Sequence, residues 1–468
     1  MKIGMLYKWR FAFIGLLFST SVHAGASPLP GHELSLFWVL PFVGVLLSLA
    51  LMPILFSSFW HHHYGKIVFL WTLAILMSIL IFFGFDILLA EVSATFFHHY
   101  FPFITIITTL YIIAGGIHVN VRGPSKPLMN TGFLAIATMT ASFIGTTGAA
   151  VLFIRPLLNL NKNRHYKRHT LIFYIFLVCN IGGCLTALGD PPLFLGYLNG
   201  IPFFWPMTHL FWPFLVITVP LLSVYFLIES WYFRREPLKV LPKPIAVKVE
   251  GFLHVGLLFC AISLILLSGS WKSVMSINFF HVLLEANNLA RDLGLIFIAC
   301  LSLYMQKKHP LEGVIFSWGP IVEVAKIFAA IFITASPVIA ILHAGGEGEL
   351  RGIIHMVNNN GIPDPKMYFW LTGFLSAFLD NAPTYLIFFH MAGGKASEFL
   401  SSLQSTLVAI SAGSVFMGAL TYIGNAPNFM VKAIAEANEI RMPSFFGYMA
   451  WSLIFLGPLF ILLTWLIF

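Results

Sequence analysis

The chain has 468 residues, of which 59% are hydrophobic, 16% aromatic and 9% charged, with a mean hydropathy of +0.88. Ordinary soluble domains carry roughly 25% charged residues, so a soluble globular protein is excluded and a polytopic all-α membrane protein in one integrated bundle is expected. The formal charge of +8 does not point to nucleic acid, because the basic residues sit in short loops between apolar runs rather than on one face or tail; that placement reads as membrane topology.

Lys2, Lys8 and Arg10 precede an apolar run from Phe11 to Phe18 and then Val22-His23-Ala24, the pattern of a secretory signal peptide over residues 1–24. Retained, the segment would be an extra N-terminal helix. Leu36 to Phe56 is long enough to cross inward, Lys66 to Phe85 outward and Phe101 to His118 inward, leaving Arg122 and Lys126 in the cytoplasm. The next apolar stretch, Leu128 to Leu158, is interrupted by Gly145-Thr146-Thr147-Gly148 and ends in the basic loop Lys162 to Arg168. A single crossing would put one of two strongly basic loops outside, so the stretch is read as a re-entrant hairpin with its tip at Thr146 and Thr147.

From His169 the chain runs outward through a break at Leu188-Gly189-Asp190-Pro191-Pro192 and returns through Met207 to Ile228. Residues 36–229 form a first transmembrane repeat. Residues 230–250 form a basic cytoplasmic linker in which Pro237, Pro242 and Pro244 resist helix, and 251–468 form a second repeat. There, Phe252 to Leu267, Leu293 to Met305 and Ile321 to Leu342 are read as crossings. Met367 to Met391 is interrupted at Asp380-Asn381-Ala382-Pro383 and read as a hairpin entered from outside. Leu400 to Ile434 is broken at Gly424-Asn425-Ala426-Pro427, and Phe445 to Phe468 makes the last crossing. Thr146 to Asp190 and Asn381 to Asn425 each span 44 positions. Two hairpins entering from opposite faces, each followed by a broken helix, are what inverted-topology repeats require.

At these motifs, together with Asn180-Ile181-Gly182-Gly183, the chain resembles the ion transporter superfamily over most of its length from Leu36 to Phe468. That group contains citrate, dicarboxylate and arsenite carriers and the NhaD-type sodium/proton antiporters, and the resemblance is greatest to bacterial sodium/proton antiporters. It implies two hairpins and two broken helices meeting near the midplane, a scaffold domain that forms a homodimer, elevator-like movement, and a place in the bacterial inner membrane. The tips depart from the dicarboxylate branch, whose hairpins carry Ser-Asn-Thr.

Asp190 and Asp380 are the carboxylates inside the broken elements, and intramembrane carboxylates are costly unless they face a cavity or an ion path. Sodium takes hard oxygen ligands. Asp190, Asp380, Asn381 and Asn425 are therefore expected as direct sodium ligands, with Thr146, Thr147, Thr186 and Thr421 as neighbours; helix capping is the alternative role for Asp190 and Asn425. Desolvation favours a neutral carboxyl and a bound cation favours the carboxylate, so sodium (or lithium) and proton would compete for one group. The expected function is sodium/proton antiport, with no cofactor beyond the transported ions and the lipid bilayer as surroundings. The rival is an anion or citrate-type symporter on the same scaffold.

Arg155, Glu323 and Lys326 are candidate relay or gating residues, with snorkelling for Arg155 and a Glu323–Lys326 ion pair as their plainer roles. Ala187-Leu188-Gly189-Asp190 resembles a Gly-x-Gly-Asp protease motif but lacks its first glycine, and no Walker lysine motif is present. His61-His62-His63 and His98-His99 are assigned to solvated loops, and Cys179, Cys184, Cys260 and Cys300 to buried packing.

Overall fold

The computed structural model describes residues 29–236, 246–271, 275–279, 282–308, 317–359 and 362–468. The expected signal peptide and Pro237, Pro242 and Pro244 of the linker lie outside the described residues. Among the described residues, eight helices are long and apolar enough to cross a membrane.

The first group of helices is α1 (Leu40–Leu55), α2 (Ser57–Ala94) and α3 (Phe101–Gly115). The sequence suggested separate crossings here, but α2 runs through a π-helical turn at Thr95–Tyr100 into α3. The change of direction falls at Gly84, where φ is 85° and ψ 175°; such a backbone suits glycine because no Cβ meets the carbonyl. Strand β1 (His118–Arg122) pairs antiparallel with β2 (Ala246–Glu250), so the far end of the linker is pinned beneath the first half. The near end of that linker is helical as far as Arg234.

Next come the first hairpin, α4 (Pro127–Ile144) and α5 (Thr146–Leu160), the broken element α6 (Arg168–Leu177) and α7 (Pro191–Leu198), and the long α8 (Trp205–Arg234). After β2 follow α9 (Phe252–Ser270), a hairpin of β3 (Ser276–Phe279) and β4 (Val282–Glu285), α10 (Ala286–Lys308), α11 (Gly319–His343) and the short α12 (Arg351–Val357). The second hairpin is α13 (Pro365–Leu379) and α14 (Asn381–Met391). After the short α15 (Ala396–Phe399), the second broken element is α16 (Gln404–Met417) and α17 (Ala426–Ala437). The last crossing is jointed at Leu456 into α18 (Phe445–Phe455) and α19 (Gly457–Ile467).

Two bodies result. Helices α1, α2, α3, α9, α10 and α11 pack on one another, while the hairpins, broken elements and α8 form the second body. Each half-helix beyond a break packs on the other half's hairpin, α7 on α14 and α17 on α5, which interlocks the two. The second body holds the densest core: every residue from Leu171 to Cys179 is buried, as is every residue from Thr406 to Ala419. Exposed apolar side chains such as Phe82, Phe259 and Trp465 face outward, as lipid-facing surfaces do.

Two expectations need correction. Cys179 and Cys184 are buried, but Cys260 and Cys300 are exposed on α9 and α10. Neither histidine group is in a loop: His61, His62 and His63 lie in α2, and His98 and His99 in the π-helical turn, with His99 stacked on Phe332 at 6.2 Å.

Candidate functional site

The hairpin tips are single residues. Gly145 (φ 82°, ψ 148°) and Asp380 (φ 76°, ψ 145°) adopt the same backbone, so Thr146 and Thr147 start α5 rather than forming the tip. Asp380 holds this conformation without being glycine, and its Oδ1 accepts the Asn381 N–H at 2.7 Å, capping α14. In the broken elements, Asp190 (φ −149°, ψ 146°) and Asn425 (φ −153°, ψ 137°) are again matched and precede Pro191 and Ala426. Proline at a first helical position needs no N–H partner. Matched residues lie 235 positions apart, the separation of Asp190 from Asn425.

The same latch recurs in both halves. Thr186 donates its hydroxyl to the Ser142 carbonyl and accepts the Leu188 N–H at 3.2 Å. Thr421 donates to the Ala377 carbonyl and accepts the N–H groups of Ile423 and Gly424 at 3.2 and 3.1 Å. These threonines tie each hairpin to its own break and satisfy backbone that the bilayer could not. Ser142 and Ser376 reinforce the tie by donating to the Gly182 and Ser414 carbonyls at 2.5 and 2.6 Å. The turns are so tight that a Cβ on Gly189 would lie 2.0 Å from the Gly183 carbonyl oxygen.

Asp190 is the centre of the arrangement. It is 2% exposed and accepts from Thr146 Oγ1 at 2.7 Å, from Asn425 Nδ2 at 3.1 Å and from Asn381 Nδ2. The three side chains come from the first hairpin, the second break and the second hairpin, and Asp190 itself from the first break, so all four elements meet on a single carboxylate. Each of the three side chains is neutral. Asn425 also donates to the Cys179 carbonyl at 2.9 Å, and Asn381 Oδ1 is buried without a hydrogen-bond partner.

Of the other candidates, Thr147 is half-buried on the first turn of α5 and Asp380 is half-buried at its tip. Arg155 is exposed on α5 and lines a cleft with Tyr111, His118, Gly148 and Ser317. Lys326 extends over the Tyr64 ring at 5.5 Å on the first body, on the same helix as Glu323. The structure thus gathers Asp190, Thr146, Asn381 and Asn425, gives Thr186 and Thr421 a backbone-holding role, and leaves Arg155, Glu323 and Lys326 outside the cluster.

Sequence reasoning missed Asn180 and Asn428. Asn180 Nδ2 donates to the Ile175 carbonyl and to Asn428 Oδ1, both at 2.8 Å, while Asn428 Nδ2 donates to the carbonyls of Gly418 and Thr421 at 2.9 Å. The available signal was an amide in each apolar run, ten residues before Asp190 and three after Asn425.

A second buried polar cluster was also not foreseen. Glu229 on α8 accepts from Asn130 at 2.8 Å and Arg164 at 2.7 Å, and meets His169 Nε2 at 2.6 Å. It ties the open end of the first hairpin to α6 and α8. Beside it, burial works against the charge of Glu236, but hydrogen bonds from the Tyr166 N–H, the Arg164 guanidinium and the His165 N–H outweigh burial and hold its carboxyl below the usual range.

Paired hairpins and broken helices closing on a buried polar site define a multi-pass secondary transporter. A profile of the family described as "Putative citrate transport" matches residues 31–468. The chain belongs to that family. No curated protein matches it.

Proposed function

We propose that the protein exchanges sodium (or lithium) for protons at Asp190, with Asn381, Asn425 and Thr146 completing the site and Asp380 beside it. The observation that carries this reading is the buried Asp190 carboxylate, whose hydrogen-bonding side chains are all neutral. Hydrogen bonds soften the desolvation of such a charge without cancelling it, so the group calls for a positive partner. A proton and a hard monovalent cation both answer that need, and only one fits at a time. Asn381 Oδ1, buried and unpartnered, supplies a further oxygen of the kind sodium takes. The two opposed repeats supply the alternating access that exchange needs.

A second reading, cation-coupled uptake of citrate or a related anion, is favoured by the description of the family. An embedded aspartate disfavours a bare anion unless a cation lies between them. The deciding experiment places purified protein in vesicles containing a pH-sensitive dye. Sodium-driven proton movement without citrate supports exchange, whereas uptake of labelled citrate with no sodium-driven proton movement would replace it.

A further inference from the structure

His343 closes α11 and His390 lies in the last turn of α14, and their rings meet across the two bodies of the protein. His343 Nε2 is 2.9 Å from His390 Nδ1, with ring centroids 4.8 Å apart. His390 is 7% exposed, while His343 reaches the surface. The turn after the second hairpin folds over both: a Cβ on Gly394, where φ is +70°, would lie 2.7 Å from His390 Nδ1 and 3.0 Å from His343 Nε2.

The charged surroundings come from three elements. Lys395, just past the turn, acts on His343, and His99 of the π-helical turn acts on His390, with His98 adjacent to it. Lys395 is itself paired with Glu398 at 3.3 Å, and a Cβ on Gly393 would lie 3.1 Å from Glu398 Oε2.

A bond between two imidazole nitrogens needs one ring to donate and the other to present a lone pair. Two neutral rings satisfy this, and so does a pair holding one extra proton. Two protonated rings cannot, because both nitrogens then carry hydrogens and two positive charges face each other beside Lys395. Imidazole changes charge within the physiological pH range, and the contact joins α11 of the first body to the second hairpin.

We propose that His343 and His390 form a proton-operated latch between the first body and the second hairpin, closed while at least one ring is neutral and open when both are protonated. The proposal goes beyond ion exchange at Asp190 and stands whichever ion the protein carries.

Hydrogen exchange on the purified full chain, with rates corrected for the intrinsic effect of pH, tests it on a peptide covering 384–395. Protection there is expected to fall about tenfold between pH 8 and pH 5.5, while the first-hairpin peptide 141–150 stays unchanged. His343→Gln, whose amide can donate or accept, should keep the segment protected at both pH values, and His343→Phe should leave it unprotected at both. The same pH dependence in His343→Gln as in the parent, or none in the parent, would overturn the latch. Loss of sodium-driven proton movement in vesicles would strike the exchange reading and leave this measurement untouched.

Discussion

Replacing Asp190 by asparagine removes one charge and almost no volume. Its consequence follows from which atoms face it. Oδ1 accepts from Thr146 and Asn425 and Oδ2 from Asn381, so the new amide keeps its oxygen toward the first two and turns its NH2 toward Asn381. That would set two NH2 groups together, but Asn381 Oδ1 has no partner of its own, and a flip of the Asn381 amide turns the clash into a hydrogen bond. Stability should therefore change by no more than about 1 kcal/mol, since the weakened hydrogen bonds are offset by no longer burying a charge. Cation binding loses its charged ligand, a loss of at least about 3 kcal/mol, or roughly 100-fold or more in the sodium dissociation constant, and the amide takes up no proton, so exchange at this group stops. Dye-loaded vesicles read the flux, and thermal unfolding in detergent reads stability. Sodium-driven proton flux that survives Asp190→Asn unchanged would refute the reasoning.

Thr186→Val keeps the shape but strands the Ser142 carbonyl and the Leu188 N–H, and should lower stability by about 1–3 kcal/mol for each group left unpaired, seen as a lower midpoint of thermal unfolding. Gly189→Ala drives a Cβ into the Gly183 backbone and should abolish folded protein in size-exclusion chromatography. Gly84→Ala, with nothing within 4 Å, should cost only the about 1–3 kcal/mol of holding a side chain in a backbone region that glycine alone ordinarily occupies. Glu236→Gln should destabilise the protein at neutral pH. Because the folded-state carboxyl is held below its ordinary value, its contribution is present above the unfolded value of about 4.3 and is lost as pH falls through the folded value. The gap between Glu236→Gln and the parent should therefore close in acid denaturation below about pH 4.

The breaks were legible because glycine, aspartate, asparagine and proline inside apolar runs have few other uses in a bilayer, and the spacing of 44 positions fixed which tip answers which break. Gly145, rather than Thr146, as the turning residue was harder to see, since all four residues of Gly145-Thr146-Thr147-Gly148 tolerate a turn and the backbone angle decides among them. Asp380 shared the composition of Asp190, so sequence could not separate a capping tip residue from the centre of a three-way contact. The Glu229 cluster and the His343–His390 contact join segments 60 and 47 positions apart with no local periodicity. Packing within the second body assembles the Glu229 cluster, and packing between the bodies brings His343 to His390. The single kinked run through α2 and α3 escaped because hydropathy measures length and not direction.

The halves are alike in backbone but unlike in electrical content: where one has an acid at Asp190, the other has an amide at Asn425. In the proposed cycle a proton or a sodium ion neutralises Asp190 equally well, so both loaded forms cross with the same charge at this group. Swapping one for the other at this group moves no net charge across the bilayer. A membrane voltage, worth about 2.3 kcal/mol per elementary charge per 100 mV, would find nothing there to push, and the two concentration gradients alone would set the direction of flow.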